Sequence, residues 1–129
     1  KNNFDPFFTG PNDDTDLSYR LTKFNYCLGI GSYPIAHLHR STFKQFFNKI
    51  RWYGKGDAQF VLKHKERLKN ILFHQLINYP IIKNVKSFKK GYFKSLPFFL
   101  LFGYVRFLSM LFHIVKYLIY KKDINIYST

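Results

Sequence analysis

The sequence predicts an α/β segment that gives way to a mostly helical, amphipathic tail. Three observations carry that expectation. Two short apolar runs bounded by turn residues, YCLGI and IAHLH, read as a buried strand and an extended segment. Apolar residues at helical spacing flank them: Leu17, Leu21 and Phe24 before, Phe43, Phe46, Phe47 and Ile50 after. The last third holds a long apolar run whose few polar members share one stripe.

FDPFF, at residues 4–8, reads as an aromatic turn or short strand, and TGPND as a loop. A helix should start at Asp14 or Thr15, which can cap free backbone N–H groups, with Asp16 suited to the dipole of the first turn. Asn25 supplies a left-handed stop. Ser41 reads as the cap of a helix that WYGKGDA ends through its two glycines. A further helix is expected from about Asp57 to Tyr79, with Phe60, Leu68, Ile71, Leu72, Gln75 and Leu76 near one side, and Pro80 ends it. KNVKSFKKGYFK is a basic connector. This divides the chain into residues 1–56, residues 57–94, and a helix over 95–122 with a polar tail to 129.

The run from Leu96 to Tyr120 spans about 37 Å as a helix, enough to cross a bilayer. Arg106, Ser109, His113 and Lys116 are spaced 3, 4 and 3 apart and form its polar stripe. A spanning helix would turn that stripe to protein, and an in-plane helix would leave it at the head groups. A soluble helix would instead bury its apolar face. Lys83, Lys86, Lys89, Lys90 and Lys94 before the helix, with Lys121 and Lys122 after it, suit an anionic membrane surface. Membrane association at the cytoplasmic face is the expectation, lying in or re-entering the bilayer in preference to spanning it.

The charge is lopsided. The 129 residues carry 21 Lys and Arg against seven acids, for a net charge of +14. Residues 1–17 run the other way, with one lysine against Asp5, Asp13, Asp14 and Asp16. The single cysteine, Cys27, excludes an internal disulfide and a Cys-based zinc cage, and reads as a buried structural thiol. Caps explain one or two of the clustered acids. Three carboxylates so close repel one another unless a cation, metal or substrate relieves them. Arg20, one turn beyond Asp16, can pair with it. Asp14 is then left at the loop–helix junction, where a carboxylate can act as a general base toward a hydroxyl. His37 and His39 fall on one side of an extended segment, an arrangement open to a divalent metal or to an ordinary surface pair.

FDPFF, DDTDLSYRL, FNY, PIAHLHRST and FFNKIRWYGKGDA, in that order over about residues 1–60, resemble the C-terminal part of a family 2 glycosyltransferase. That family commonly shows an FDE-x-F stretch, an ED-x-D-L-x-x-R motif, a G-Y turn, a V-x-H strand end and a YGRGDA-like segment. The resemblance implies a GT-A fold, Rossmann-like, whose nucleotide-binding half lies N-terminal to these motifs. It implies inverting transfer from a nucleotide-diphospho-sugar to a hydroxyl acceptor, free or lipid-linked, in cell-surface polysaccharide or glycolipid synthesis. By position, Asp14 is the general base. Asp13 stands where the family usually has Glu, and Asp16 and Arg20 are acceptor-side or structural. His37, with His39 as second choice, touches a divalent metal, Mg or Mn, held jointly with a D-x-D motif in the other half. Without that half the chain alone is expected to be inactive. Asn25 stands where the family has Gly.

Two rivals remain. Basic residues interleaved with aromatics, as in FKQFFNKIRWYGKG, suit nucleic-acid phosphates and bases, but no nucleic-acid motif accompanies them and nucleic acid is not the expected partner. A membrane-anchored interaction protein without enzymatic activity would use the acids only as helix caps.

Overall fold

The computed structural model describes residues 3–27, 29 and 42–126. Every regular element among them is helical. They are α1 (Asp13–Lys23), α2 (Phe43–Lys63), a 3-10 turn (Lys65–Arg67), α3 (Leu68–Phe73), a π-helical stretch (His74–Lys83), α4 (Asn84–Lys89), a second 3-10 turn (Phe93–Ser95) and α5 (Leu96–Ile126). The expected α/β, GT-A-like architecture is therefore corrected to a helical one, with no strand among the described residues. A strand exists only through a ladder partner, and Tyr26, Cys27 and Gly29 of the predicted YCLGI strand have none. FDPFF closes as a turn, the Phe8 N–H donating to the Asp5 carbonyl at 3.1 Å. Cys27 is exposed, not a buried thiol. The predicted IAHLH extension lies outside the described residues, as does Ser41.

Two other boundaries differ from the sequence pattern. Asn25 does stop α1 in the left-handed region, at φ 60°. The glycines of WYGKGDA do not break the second helix, which runs unbroken across them and across the expected boundary at residue 56. Thr42 caps α2, its side chain accepting from the Gln45 N–H at 3.2 Å. Each glycine sits where another backbone passes. A Cβ at Gly54 would meet the Arg106 carbonyl and the Ser109 side chain of α5, and one at Gly56 would collide with the Pro11 carbonyl. The cost of glycine in a helix, about 1 kcal/mol each, is offset by two close packings. Pro80 likewise does not end its helix. It sits buried inside the π-helical stretch, packed against Gly103 of α5, where its missing N–H is absorbed by the irregular ladder.

α5 runs alongside α2 in the same direction. Phe46 meets Phe98 with ring centroids 5.4 Å apart, Tyr53 meets Phe102 at 6.1 Å, and Asp57 meets Arg106. The α3–π–α4 rod returns the chain between them and packs on α5. The core is small: Ala58 and Val61 of α2 close on Met110 of α5, with Ile71, Leu72, Phe107 and Ile114 around them. The stretch Phe93–Tyr120 is long and apolar enough to cross a membrane, and only 11% of its most apolar part is buried. Its polar stripe faces protein. Arg106 reaches Asp57, the Ser109 hydroxyl donates to the Arg51 carbonyl at 2.7 Å, and His113 and Lys116 border a cavity against α2. The opposite face presents Leu108, Phe112, Val115 and Ile119 outward.

Candidate functional site

Two structural clusters take up Asp5 and Asp16 at the start of the chain and Glu66 and Asp57 beyond it, and the two acids they leave over, Asp13 and Asp14, mark the site. The first is built on Asp16, fully buried on the inner side of α1. Its carboxylate accepts from Arg20 Nε at 2.8 Å and Lys63 Nζ at 2.9 Å, and lies 2.6 Å from His64 Nε2. Burial pushes this carboxyl upward. The hydrogen bonds from His64, Lys63 and Arg20 outweigh it and hold the group below its ordinary value. Lys63 also reaches Asp5 at 2.5 Å. That bond, with the Phe7 N–H, lowers the Asp5 carboxyl and ties the FDPFF turn to α2. Beside it Glu66 takes Lys23 at 2.7 Å and the Tyr19 hydroxyl at 2.8 Å, which bring its carboxyl down to about 2.

The second cluster is Asp57, 2% exposed and held by three residues through four hydrogen bonds. Arg106 of α5 grips it with two nitrogens, Nη2 at 2.7 Å and Nε. Gln75 from the π-helical stretch donates at 2.7 Å, and Asn12 Nδ2 at 2.9 Å. The Arg106 guanidinium lies near the rings of Tyr53 and Phe102, 5.2 and 5.5 Å away. Asn12 is the residue just before α1 and has φ 81°, which Asn tolerates better than other L residues. Its side chain therefore holds the loop to Asp57 and does not cap its own helix. Gly56 lets the Pro11 backbone lie against α2 one residue away. Together these contacts fix where α1 begins, and so where Asp13 and Asp14 stand.

Asp13 and Asp14 take over the capping. The Asp14 N–H donates to Asp13 Oδ1 at 2.9 Å and the Thr15 N–H to Asp14 Oδ1 at 2.7 Å. Neither makes an ion pair among the described residues, and Asp14 Oδ2 has no partner there. Asp14 is exposed on the wall of an open groove of about 860 Å³ between the start of α1 and the N-terminal half of α2. Gln45, Asn48, Lys49 and the half-exposed ring of Trp52 form the facing wall. Two carboxylates without an ion pair among the described residues, two amides, a lysine and an indole face form a set able to bind a polyhydroxylated ligand: the amides and the ammonium take hydroxyls and the ring takes an apolar sugar face.

Of the residues predicted from sequence, Asp13 and Asp14 meet in this groove, while Asp16 and Arg20 pair in the structural cluster behind it. His37 and His39 lie outside the described residues, so the predicted metal contact is not placed. Among the described residues no three His, Cys, Asp or Glu gather into a group that could hold a metal ion. Sequence reasoning missed Asp57, Asn12 and Gln75, and it missed the groove's Trp52, Asn48 and Gln45. A signal for the first existed. Residues 18–129 hold only Asp57, Glu66 and Asp123 as acids, so an arginine in an apolar helix had few carboxylates to find. No protein-family model, curated protein or solved structure matches this chain.

Proposed function

We propose that this chain carries the acceptor side of a membrane-bound glycosyltransferase, with Asp14 as the general base. One observation carries the reading. Of the acids clustered at the start of α1, Asp16 is consumed by structural cations, while Asp14 keeps an oxygen without a partner among the described residues, in a groove whose facing wall is amides, an indole and the Lys49 ammonium. The acceptor hydroxyl gives its proton to Asp14 as its oxygen bonds to the anomeric carbon of a nucleotide-diphospho-sugar. The bond from that carbon to the diphosphate breaks on the opposite face, the nucleoside diphosphate leaves with the electron pair, and configuration inverts. Asp13 adds negative potential beside the base, and Asp57 acts through Asn12 to hold the loop. A divalent ion, when bound, would neutralise the leaving diphosphate. The described residues offer no ligand set for it.

The membrane enters through α5. Up to Tyr120, eleven of its large apolar or aromatic side chains are exposed, and burying them even in part is worth on the order of 10 kcal/mol. The N-terminal half of α5 adjoins the N-terminal half of α2, which lines the groove, so the acceptor site sits at the end of the helix where the lysine-rich segment lies. A cytoplasmic-face acceptor anchored in the same bilayer suits that arrangement.

Trp52 is the only tryptophan in the chain, so its emission reports on the groove alone. A saturable change in that emission with an acceptor saccharide, weakened in Asn48→Ala, supports the reading. Unchanged emission across a panel of hexoses, aminosugars and their glycosides counts against it.

A further inference from the structure

A second, smaller cavity opens beside the acidic groove. It holds about 350 Å³ and shares Asn12 and Thr15 with the groove. Its far wall is Arg67, Asn70 and His74, facing Ser18 of α1. The character of this cavity is opposite to that of the groove. Asp57 reaches it too, but its carboxylate already accepts from Arg106, Gln75 and Asn12 and is neutralised by the guanidinium. Arg67 has no such partner among the described residues. Its guanidinium lies over the Tyr19 ring at 5.2 Å, and its Nε is buried without a hydrogen bond. Glu66, the adjacent acid, is taken by Lys23 and Tyr19. His74 Nδ1 lies 2.8 Å from Asn78 Nδ2, and with that contact as an acceptor its Nε2 is left as a donor. A buried unsatisfied N–H on a cation is costly, and an anion relieves it.

We infer that this cavity binds the phosphoryl group of a phosphorylated ligand, with Arg67 as its principal donor and Asn70 and His74 as supporting donors. The planar guanidinium fork matches phosphate oxygens. Taking that ligand to be a phosphate-linked acceptor whose sugar lies in the neighbouring groove rests on the glycosyltransferase reading. The anion site itself does not.

The test is calorimetric titration of the full chain, in nonionic detergent, with inorganic pyrophosphate. Wild type should bind saturably, and Arg67→Gln should weaken binding about tenfold or more. Arg67→Lys should fall between, and Lys94→Gln, outside the cavity, should match wild type. Asn70→Ala, on the exposed side of α3, gives a second variant should Arg67→Gln fold poorly, and it too should weaken binding. Competition by phosphatidic acid in nanodiscs would identify a lipid headgroup as the source of the phosphoryl group, and its absence would identify a soluble phosphate compound. No saturable binding, or equal weakening by Arg67→Gln and Lys94→Gln, would overturn the site. Turnover plays no part in this readout, so a failed transferase assay would leave the result standing.

Discussion

Replacing Asp57 with Asn should destabilise the protein by about 3–5 kcal/mol, the usual loss when one partner of a buried ion pair is removed. The geometry points to the upper part of that range. The carboxylate is 2% exposed and accepts four hydrogen bonds, two of them from Arg106. Asn keeps the shape but turns one acceptor oxygen into a donor aimed at other donors. It also leaves the Arg106 guanidinium, whose side chain is 17% exposed, without a counter-charge. Against a total stability of about 5–15 kcal/mol, that is a large share. The assay is unfolding followed by circular dichroism in detergent micelles, for Asp57→Asn, Arg106→Met and the double variant. The double variant should be less destabilised than the sum of the singles, because removing both charges leaves neither stranded. Limited proteolysis of Asp57→Asn should also cut more readily at Gly10–Asn12, since Asn12 loses its anchor. A loss below about 1 kcal/mol, with additive singles, would refute the view of Asp57 as the hub.

Other expectations follow from the same contacts. Gly56→Ala should gain about 1 kcal/mol in helix propensity and lose more to the collision with Pro11. Its net effect should be destabilising by about 1–3 kcal/mol in a thermal melt, and a stabilised variant would contradict the packing. Asp16 and Glu66 both have folded pKa values depressed below their unfolded ones. Their contribution is complete above the unfolded values of about 4 and is lost as pH falls through the folded ones, so stability should drop below about pH 4. Asp16→Asn should flatten that drop far more than Glu66→Gln, because Glu66 is exposed and screened, and equal effects would refute the assignment. Cys27, being exposed, should react fully with a maleimide without denaturant, and protection in the native state would contradict its placement.

The helices were legible where one periodicity ran uninterrupted. The start and stop of α1, the apolar face from Phe43 to Ile50 and the polar stripe of α5 all follow from spacing and caps. What failed were the places where a local rule met a long-range contact. Gly54 and Gly56 read as breakers because glycine is a poor helix former. Their purpose, admitting α5 and the Pro11 loop, lies in residues about fifty positions away on one side and forty-five on the other. Pro80 reads as a terminator for the same reason, and only Gly103 explains how a helix carries it. The expected sheet rested on short apolar runs, which periodicity cannot separate from other apolar segments. In the site, Asp13 and Asp14 were visible because clustered like charges need a reason. Trp52, Asn48 and Gln45 were not, because single polar or aromatic residues on a helix carry no pattern of their own.

The measurement that bears most directly on the central claim is sugar transfer by the protein expressed from its natural coding region in lipid bilayers. Wild type, Asp14→Asn and Asp16→Asn would be compared across a panel of nucleotide sugars and phosphate-linked acceptors, with melting curves alongside. The account predicts turnover in wild type and a fall of about 10²- to 10⁴-fold in Asp14→Asn with its melting unchanged. Asp16→Asn should lose melting temperature first. Turnover in Asp14→Asn within a few-fold of wild type, or no transfer by wild type from any donor, would contradict it.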